Sequence, residues 1–313
     1  MFETIFFNPY LIFIIGGIFL YFGSEFLIDN SIVIANKLNL SKIFIGSTIV
    51  ALGTSLPEIV VSIIANVSGS TDIAIGNIVG SNIANISLVL GVLLLFRNIY
   101  LGKKYKIRFH LLFLSLLTII LYFLLRNGVI TVYHGLMLIF LFIIYVILSI
   151  NFFDDNESKV DIIVPEFPIL KIIIGIMLIY FGSNLFIDGA IGIALQIGVS
   201  DLVIGMTVVA LGTSAPELIV SINSILKNEI DISIGNIIGS NIANIVFALG
   251  LSSTLKSMYF NYNDLVFYNN YMILLTSLLV IFLLVFKKIN KNFGLLFISI
   301  YFVFIYLNFY INN

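Results

Sequence analysis

The sequence predicts an all-α integral membrane protein with ten transmembrane helices, arranged as two inverted five-helix repeats with both termini outside. Three observations lead to this prediction. Of the 313 residues, 60% are hydrophobic and only 10% are charged. The apolar residues fall into ten runs of membrane-spanning length, and long sequence blocks occur twice. These features are typical of a duplicated chain that folds in a bilayer.

The composition excludes several classes of protein. Soluble domains average roughly 45–50% apolar and about 25% charged residues, and the mean hydropathy of this chain is +1.17. A net charge of −1 excludes a basic nucleic-acid-binding protein. The chain has no cysteine, which excludes disulfide frameworks and thiolate metal sites. Its two histidines are too few to favour a histidine-built zinc or haem site.

The ten spans follow from runs of about 20 mainly apolar residues, the length needed to cross the bilayer core. The first run lacks the basic segment and cleavage site of a signal peptide, so we expect a retained helix. The seventh and eighth are less uniform, because Gly, Ser, Thr and Asn interrupt them. The predicted spans are 9–30, 42–66, 72–96, 109–126, 129–150, 168–195, 201–226, 231–255, 265–286 and 292–310.

The positions of lysine and arginine predict the orientation of these spans. Basic residues concentrate in the cytoplasmic loops of membrane proteins. With the N-terminus outside, 13 basic residues face the cytoplasm and only Arg126 and Lys256 face outside. The polar segment 151–167 is then a cytoplasmic linker between a first repeat, residues 1–150, and a second repeat, residues 168–313.

The internal repeat is the strongest single feature. Segment 43–63 matches segment 202–222 at 14 of 21 positions, and segment 72–91 matches 231–250 at 15 of 20. Both pairs are offset by 159 residues. Five spans separate equivalent positions, so the second copy must enter the membrane upside down relative to the first. Inverted repeats around a midplane site recur among secondary transporters.

Each copy places one glutamate in the middle of a span, within the motif Gly-Thr-Ser-x-Pro-Glu. Glu58 and Glu217 are these residues. A charged side chain near the bilayer centre costs several kcal/mol and normally marks an ion or proton pathway. Pro57 and Pro216 cannot donate a backbone hydrogen bond, so each leaves carbonyl oxygens of the preceding turn available. Carbonyls, hydroxyls and one carboxylate per copy predict an all-oxygen site.

The third and eighth spans carry a second paired motif, Gly-Asn-x-x-Gly-Ser-Asn-x-x-Asn. Its Ser and last Asn are Ser81 and Asn85 in the first copy and Ser240 and Asn244 in the second, and we expect all four to contact ions. With Asn77 and Asn236 they recur every four residues and form one polar stripe on each helix. The asparagine that follows each serine, Asn82 or Asn241, lies at the edge of the stripe, and for these two we expect interhelical hydrogen bonds.

Charge and ligand chemistry indicate the ion. The two glutamates give the site a formal charge near −2, and the interiors of these four spans hold no Lys, Arg or His. One Ca²⁺ would neutralise that charge, and hard oxygen ligands suit Ca²⁺. Soft or imidazole-preferring metals find no thiolate or histidine here, whereas Na⁺ is compatible with the same oxygens.

These paired motifs identify the chain as similar to the cation/Ca²⁺ exchanger superfamily, and it most resembles archaeal and bacterial sodium/calcium exchangers. The resemblance covers the whole chain. It implies antiport of three Na⁺ for one Ca²⁺ by alternating access, with spans one and six sliding across the other eight.

The resemblance also implies a set of metal ligands. The central Ca²⁺ site corresponds to Glu58 and Glu217 with backbone oxygens of Thr54 and Thr213. Asn85 and Asn244 match the middle position, where potassium-dependent relatives carry Asp, so coupling to K⁺ is disfavoured. The flanking Na⁺ sites correspond to two sets, Ala51, Thr54, Ser55 and Ser240 on one side and Ala210, Thr213, Ser214 and Ser81 on the other.

Three functions remain open, and a Na⁺/Ca²⁺ antiporter is favoured. A Ca²⁺/H⁺ antiporter is the alternative, because the two glutamates could carry protons. A channel is disfavoured, since an inverted repeat favours an alternating site. We expect no enzyme and no cofactor, because no nucleophile–base pair or phosphate-binding loop is present. Ca²⁺ and Na⁺ are the expected substrates of a monomer in the lipid bilayer of the cell membrane, without a nucleic-acid partner.

Other polar residues are expected to have structural roles. Asp29 and Asp188 occupy equivalent positions in the repeat and are predicted to lie near helix ends as interfacial anchors or caps, with a gating role as the less favoured alternative. Glu25 has Asn184 as its counterpart, so symmetry does not support it as a ligand. His110 and His134 are predicted to lie near span ends, where they are solvated or packed.

Overall fold

The computed structural model describes residues 8–100, 104–152, 166–197, 210–286 and 288–311. Within these ranges the chain is helical apart from turns and four two-residue strands. The helices are α1 (Pro9–Lys37), α2 (Lys42–Thr54), α3 (Leu56–Val67), α4 (Thr71–Phe96), α5 (Lys104–Arg126), α6 (Val132–Phe152), α7 (Pro168–Gln196), α8 (Ala210–Thr213), α9 (Ala215–Leu226), α10 (Ile230–Leu255), α11 (Tyr262–Val285) and α12 (Lys291–Ile311).

Prolines and small polar residues fix where these helices begin. Pro9, Pro57, Pro168 and Pro216 each occupy one of the first two positions of a helix. A proline is tolerated there because the backbone N–H that it lacks would have no intrahelical partner. Asn8 caps α1, since its side chain accepts a 2.9 Å hydrogen bond from the backbone N–H of Tyr10.

Eight helices in the described ranges are long and apolar enough to cross a membrane: α1, α4, α5, α6, α7, α10, α11 and α12. Helices α2 and α3 together meet the same criterion but are bent by 51°, so they form a broken span. The predicted seventh span includes residues 201–209, which lie outside the described residues. The all-helical membrane fold is confirmed, and the total of ten spans stays a prediction.

The predicted end of the first span is wrong. The prediction placed it at residue 30, whereas α1 continues to Lys37. Asn30 does not end the helix, because it is buried and its amide donates a 2.7 Å hydrogen bond to the carbonyl oxygen of Phe26 one turn earlier. Asp29 therefore lies well inside α1 and is not a cap, and Asp188 lies well inside α7 in the same way.

Four short strands join helix ends. Strand β1 (Ile99–Tyr100) pairs with β4 (Lys288–Ile289), and β2 (Val129–Ile130) pairs with β3 (Met258–Tyr259), both antiparallel. Strand β2 occupies the predicted start of the fifth span, so α6 begins only at Val132. In each pair, one strand precedes the linker 151–167 and the other follows it, so the pairs join the two halves of the chain.

Helices α4 and α10 form the centre of the bundle. Most of their residues are buried, whereas only 22–33% of the residues in the most apolar stretches of α1, α6, α7 and α12 are buried, as expected for helices that face lipid. The central helices are also rich in small and polar residues. The fold therefore places the most polar motifs in its most buried helices.

Glycines allow two pairs of helix backbones to approach closely. A Cβ on Gly16 of α1 would lie 2.4 Å from the backbone nitrogen of Phe186 in α7, and a Cβ on Gly189 would lie 2.4 Å from that of Phe13. Helix α10 meets α2 in the same manner, since a Cβ on Gly239 would lie 2.4 Å from the Cα of Ser47. Contacts through small residues are a main source of helix association in membranes.

Candidate ion-binding site

A break in a helix positions each of the two glutamates. Helix α2 ends at Thr54 and α3 starts at Leu56, so that Glu58 falls in the first turn of α3. The second copy has the same arrangement around Ser214, with Glu217 in the first turn of α9. The N-terminal turn of a helix carries a partial positive charge, which stabilises a carboxylate. The proline in each motif thus creates both the break and a favourable place for the acid.

Both glutamates are buried, at 1% exposure for Glu58 and 0% for Glu217. Neither carboxylate oxygen of Glu58 has a hydrogen-bond partner among the described residues. Glu217 accepts a 2.9 Å hydrogen bond from the Ser55 hydroxyl through Oε1, and its Oε2 has no such partner. Three of the four carboxylate oxygens therefore remain available to a ligand.

The helix break of the first copy contacts the polar helix of the second copy. Thr54 Oγ1 lies 3.2 Å from Ser240 Oγ and 3.1 Å from Asn236 Oδ1. The carbonyl oxygen of Ala51 accepts hydrogen bonds from the Thr54 hydroxyl at 3.1 Å and from the Ser55 amide at 2.9 Å. Residues of both copies therefore surround Glu217.

The equivalent residues of the second break are only partly described. Ser81 of α4 and Thr213 of α8 both line a single cavity. The Ser214 hydroxyl is buried and has no hydrogen-bond partner among the described residues. Ala210 is the first residue of α8, and its surroundings lie outside the described part of the chain.

The two motif asparagines, Asn85 and Asn244, are buried at the start of π-helical turns. These turns span Asn85–Val89 and Asn244–Leu249. Within the described ranges, neither amide atom of Asn85 has a hydrogen-bond partner, and Asn244 Oδ1 also lacks one. The amide nitrogen of Asn244 donates to Asn82 Oδ1 at 3.2 Å. Short π-helical turns are frequent at functional sites, and here they leave amide oxygens available.

Two further asparagines support the glutamates, and the sequence analysis did not assign them this role. The amide of Asn77 donates to the backbone carbonyl oxygen of Glu58 at 3.1 Å, and that of Asn236 lies 3.5 Å from the carbonyl oxygen of Glu217. Each amide also donates to a serine hydroxyl, at 2.9 and 3.0 Å. These serines are Ser62 and Ser221. Asn77 and Ser62 correspond to Asn236 and Ser221 at the repeat offset of 159 residues. The repeat pattern could therefore have identified all four.

The expectation for the edge asparagines is half correct. Asn82 does make an interhelical contact, because it accepts from Asn244 and its amide lies 3.8 Å from Met272 Sδ. Asn241 instead donates to the carbonyl oxygen of Ile237, one turn earlier in its own helix, at 2.7 Å. The prediction of an interhelical bond for Asn241 was wrong, because the amide nitrogen of a buried asparagine can donate to a carbonyl oxygen of its own helix.

His110 was expected to be either solvated or packed, and the structure shows that it is packed. It is fully buried, and its Nδ1 lies 2.7 Å from the Tyr145 hydroxyl, which in turn lies 2.8 Å from Ser47 Oγ. His110 therefore belongs to a polar cluster that joins α2, α5 and α6. It lies outside the candidate ion-binding residues.

Comparison with known proteins assigns the chain to a family. The model of the sodium/calcium exchanger protein family matches residues 8–151 and again residues 167–310. A membrane protein of Methanocaldococcus jannaschii is 36% identical over 299 residues, which cover 93% of this chain and 95% of the relative. The sodium/calcium exchanger MaX1 of Methanosarcina acetivorans is 29% identical over 352 residues, which cover 96% and 99%.

Solved structures agree with this assignment. The sodium-calcium exchanger NCX_Mj, soaked with zero Na⁺ and Ca²⁺, superposes with a TM-score of 0.80 at 34% identity. The alignment covers 95% of this chain and 97% of that structure. The apolar helices, the duplicated motifs and the match of the family model to both halves lead to one conclusion: this chain is a multi-pass membrane protein that belongs to the sodium/calcium exchanger family.

Proposed function

We propose that this chain is an antiporter that exchanges three Na⁺ for one Ca²⁺ by alternating access at a site built around Glu58 and Glu217. One observation carries the proposal. Two buried glutamates, one from each copy, together present three carboxylate oxygens that have no hydrogen-bond partner among the described residues. The interiors of the helices that carry the paired motifs contain no Lys, Arg or His to compensate them.

The cost of burying these charges explains why a cation is required. Removing an ionised carboxylate from water costs several kcal/mol, and the cost is recovered only by pairing and hydrogen bonding. Ca²⁺ binds six to eight oxygen ligands. We assign it to Glu58 and Glu217 with the backbone oxygens of Thr54 and Thr213, and we assign Asn85 and Asn244 to the middle of the site as neutral supports.

The flanking Na⁺ ions would bind on either side of the glutamates. The contacts of the first break support one of these sites, since the Thr54 and Ser240 hydroxyls lie 3.2 Å apart and Ser55 contacts Glu217. The resemblance to sodium/calcium exchangers supports the second by symmetry. The proposed ligands are Ala51, Thr54, Ser55 and Ser240 for one Na⁺ site and Ala210, Thr213, Ser214 and Ser81 for the other.

The proposed architecture is ten helices in two inverted repeats, residues 1–150 and 168–313, joined by linker 151–167. The separate match of the family model to each half supports this division. The strand pairs support the predicted sides, because β1 and β4 both belong to predicted cytoplasmic loops, whereas β2 lies at the predicted outer end of the fifth span and pairs with β3 in a predicted outer loop. Both termini are then outside, and the chain works as a monomer in the bilayer.

Alternating access requires a part of the molecule that moves. Helices α1 and α7 suit this role, because they pack on each other through glycines and bury only 33% and 28% of the residues in their most apolar stretches. Leu27 and Ile28 of α1 pack on Val220 of α9 in a buried apolar cluster, a kind of contact that can slide without breaking hydrogen bonds. We assign these two helices as the sliding unit.

A Ca²⁺/H⁺ antiporter is the second candidate. It is favoured by the same unpaired oxygens of Glu58 and Glu217, because each carboxylate could bind a proton in place of Na⁺. The two functions differ only in the coupling ion, so the coupling ion is what the experiment must identify.

The test is ⁴⁵Ca²⁺ uptake into proteoliposomes that contain the purified chain. We expect an outward Na⁺ gradient to drive uptake, and an outward K⁺ gradient of equal size to give only background. A proton gradient without Na⁺ should also give background. Uptake with the proton gradient alone would replace the Na⁺/Ca²⁺ assignment with the Ca²⁺/H⁺ assignment.

A further inference from the structure

A polar contact joins α1 to α9 at the end of α9. The Lys227 ammonium lies 2.9 Å from Glu25 Oε1 and also pairs with Asp29. The amide of Asn223 donates to Ser24 Oγ at 2.8 Å and to Glu25 Oε1 at 3.1 Å. We call these five residues the α1–α9 latch. Its residues lie outside the proposed ion ligands.

The chain between the latch and the ion-binding glutamate is closely packed. Glu217 and Lys227 stand on the same helical segment, separated by about 15 Å at 1.5 Å per residue. Val220 of α9 lies between them and packs in one buried cluster with Leu27 and Ile28 of α1, and all three are fully buried. This end of the α1–α9 interface is therefore closed to water.

The latch has no counterpart in the other half of the repeat. At the offset of 159 residues, Lys227 corresponds to Ser68 and Asn223 corresponds to Ile64. Glu25 corresponds to Asn184. Ser24 and Asp29 have identical counterparts in Ser183 and Asp188, but the other copy has neither an ammonium at the position of Lys227 nor a carboxylate at that of Glu25. The repeat is symmetric at the ion site and asymmetric at the latch.

We propose that the α1–α9 latch is a gate that holds the ion path closed at the end of the bundle where Lys227 lies. The proposal rests on the proposed function, in which α1 slides against the other helices. Opening at this end requires α1 to move relative to α9, and such a movement breaks the contacts of Lys227. The gate therefore biases the protein away from conformations that open at this end.

The electrostatics of the latch agree with this role. Partial burial lowers the pKa of Lys227, but hydrogen bonds to Asp29 and Glu25 outweigh burial and raise the pKa above its usual value. The ammonium therefore stays charged at physiological pH. A pair of this kind contributes up to about 1 kcal/mol, which corresponds to about a fivefold change in a conformational ratio.

The test uses a single cysteine as a reporter of opening, since the native chain contains none. We would introduce Val220→Cys and measure its rate of labelling by a membrane-impermeant maleimide applied from each side of the bilayer. Lys227→Ser copies the counterpart residue and removes the latch. Lys42→Ser is the matched control, because it breaks the 2.8 Å ion pair between Lys42 and Glu229 without involving α1.

We expect Lys227→Ser to raise the labelling rate about fivefold from one side only, and Lys42→Ser to leave the rate unchanged. Lys227→Arg should keep it low, because a guanidinium pairs with the same carboxylates. Equal labelling with and without Lys227→Ser would overturn the gate. Labelling does not require transport, so a lack of Na⁺-driven Ca²⁺ uptake would contradict the proposed function while leaving this result interpretable.

Discussion

At the scale of single residues, the polar atoms without partners indicate where ions bind. A buried polar group without a partner costs several kcal/mol in a membrane interior. Within the described ranges, buried carboxylate oxygens without a hydrogen-bond partner occur only in Glu58 and Glu217. Asn85, Asn244 and Ser214, which the motifs also selected, carry further unpaired atoms. This concentration favours a cation-binding role over a purely structural one.

Replacing Glu58 or Glu217 by Gln tests the carboxylates. Each change preserves shape but removes half of the formal negative charge of the site, so Ca²⁺ exchange should fall to background in either variant. Uptake of ⁴⁵Ca²⁺ in proteoliposomes measures this effect. Glu166→Gln is the control, because Glu166 is exposed at the start of α7 and should leave exchange unchanged. Normal exchange by either site variant would show that its carboxylate is not a central ligand.

Asn244 tests whether the middle of the site is neutral. Its Oδ1 has no hydrogen-bond partner among the described residues, and in the proposed site Asn244→Asp would add a third carboxyl to those of the two glutamates. That group changes its charge as it takes up or releases a proton, so Ca²⁺ exchange should depend more steeply on pH than in the unmodified chain. The measurement is ⁴⁵Ca²⁺ uptake from pH 5 to 9, with the exposed Asn263→Asp as control. If Asn244→Asp and the unmodified chain give the same pH profile, Asn244 does not line the ion cavity.

At the scale of helices, close backbone contacts determine what can move together. Gly16 and Gly189 bring α1 and α7 into backbone contact, and Gly239 does the same for α10 and α2. The contact between α1 and α7 holds the proposed sliding unit together. The contact between α10 and α2 is made at Gly239, the residue before the proposed ligand Ser240. Small residues thus fix the geometry of both the mobile pair and the site.

Neighbouring glycines of α1 allow a matched test of this contact. A Cβ on Gly16 would lie 2.4 Å from the Phe186 backbone, whereas one on Gly17 would meet only the end of the Phe186 ring at 4.0 Å. Gly16→Ala should destabilise the protein by about 1–3 kcal/mol through overpacking, and it should slow exchange. Gly17→Ala should be neutral or slightly stabilising, since alanine favours a helix. Thermal unfolding in detergent measures the difference, and equal melting of the two variants would contradict a backbone contact at Gly16.

The sequence predicts the membrane helices and the two buried glutamates for identifiable reasons. Pro57 marks the break before Glu58, and duplication marks both glutamates. The prediction missed the end of α1 because the amide nitrogen of Asn30 donates to a carbonyl oxygen of the same helix, so this polar residue does not end it. The contact of Ser55 with Glu217 could not be predicted, since sequence does not specify which copy supplies a hydroxyl to which carboxylate.

At the scale of the whole molecule, charge balance limits the exchange cycle. With only two carboxylates in the proposed site, the loaded site is neutral with one Ca²⁺ and near +1 with three Na⁺. Each cycle of three-for-one exchange then moves one net positive charge across the membrane in the direction of Na⁺. One elementary charge that crosses 100 mV changes the free energy by about 2.3 kcal/mol.

Membrane potential should therefore bias the direction of exchange. With Na⁺ inside proteoliposomes and Ca²⁺ outside, Na⁺ leaves as Ca²⁺ enters, and net positive charge moves outward. An inside-positive potential, set with valinomycin and K⁺ gradients, should accelerate ⁴⁵Ca²⁺ uptake, and an inside-negative potential should slow it. The Na⁺ gradient is held constant, and liposomes without protein give the leak. Equal uptake at both potentials would indicate electroneutral exchange and remove the three-to-one stoichiometry, although Na⁺/Ca²⁺ antiport at Glu58 and Glu217 would stand.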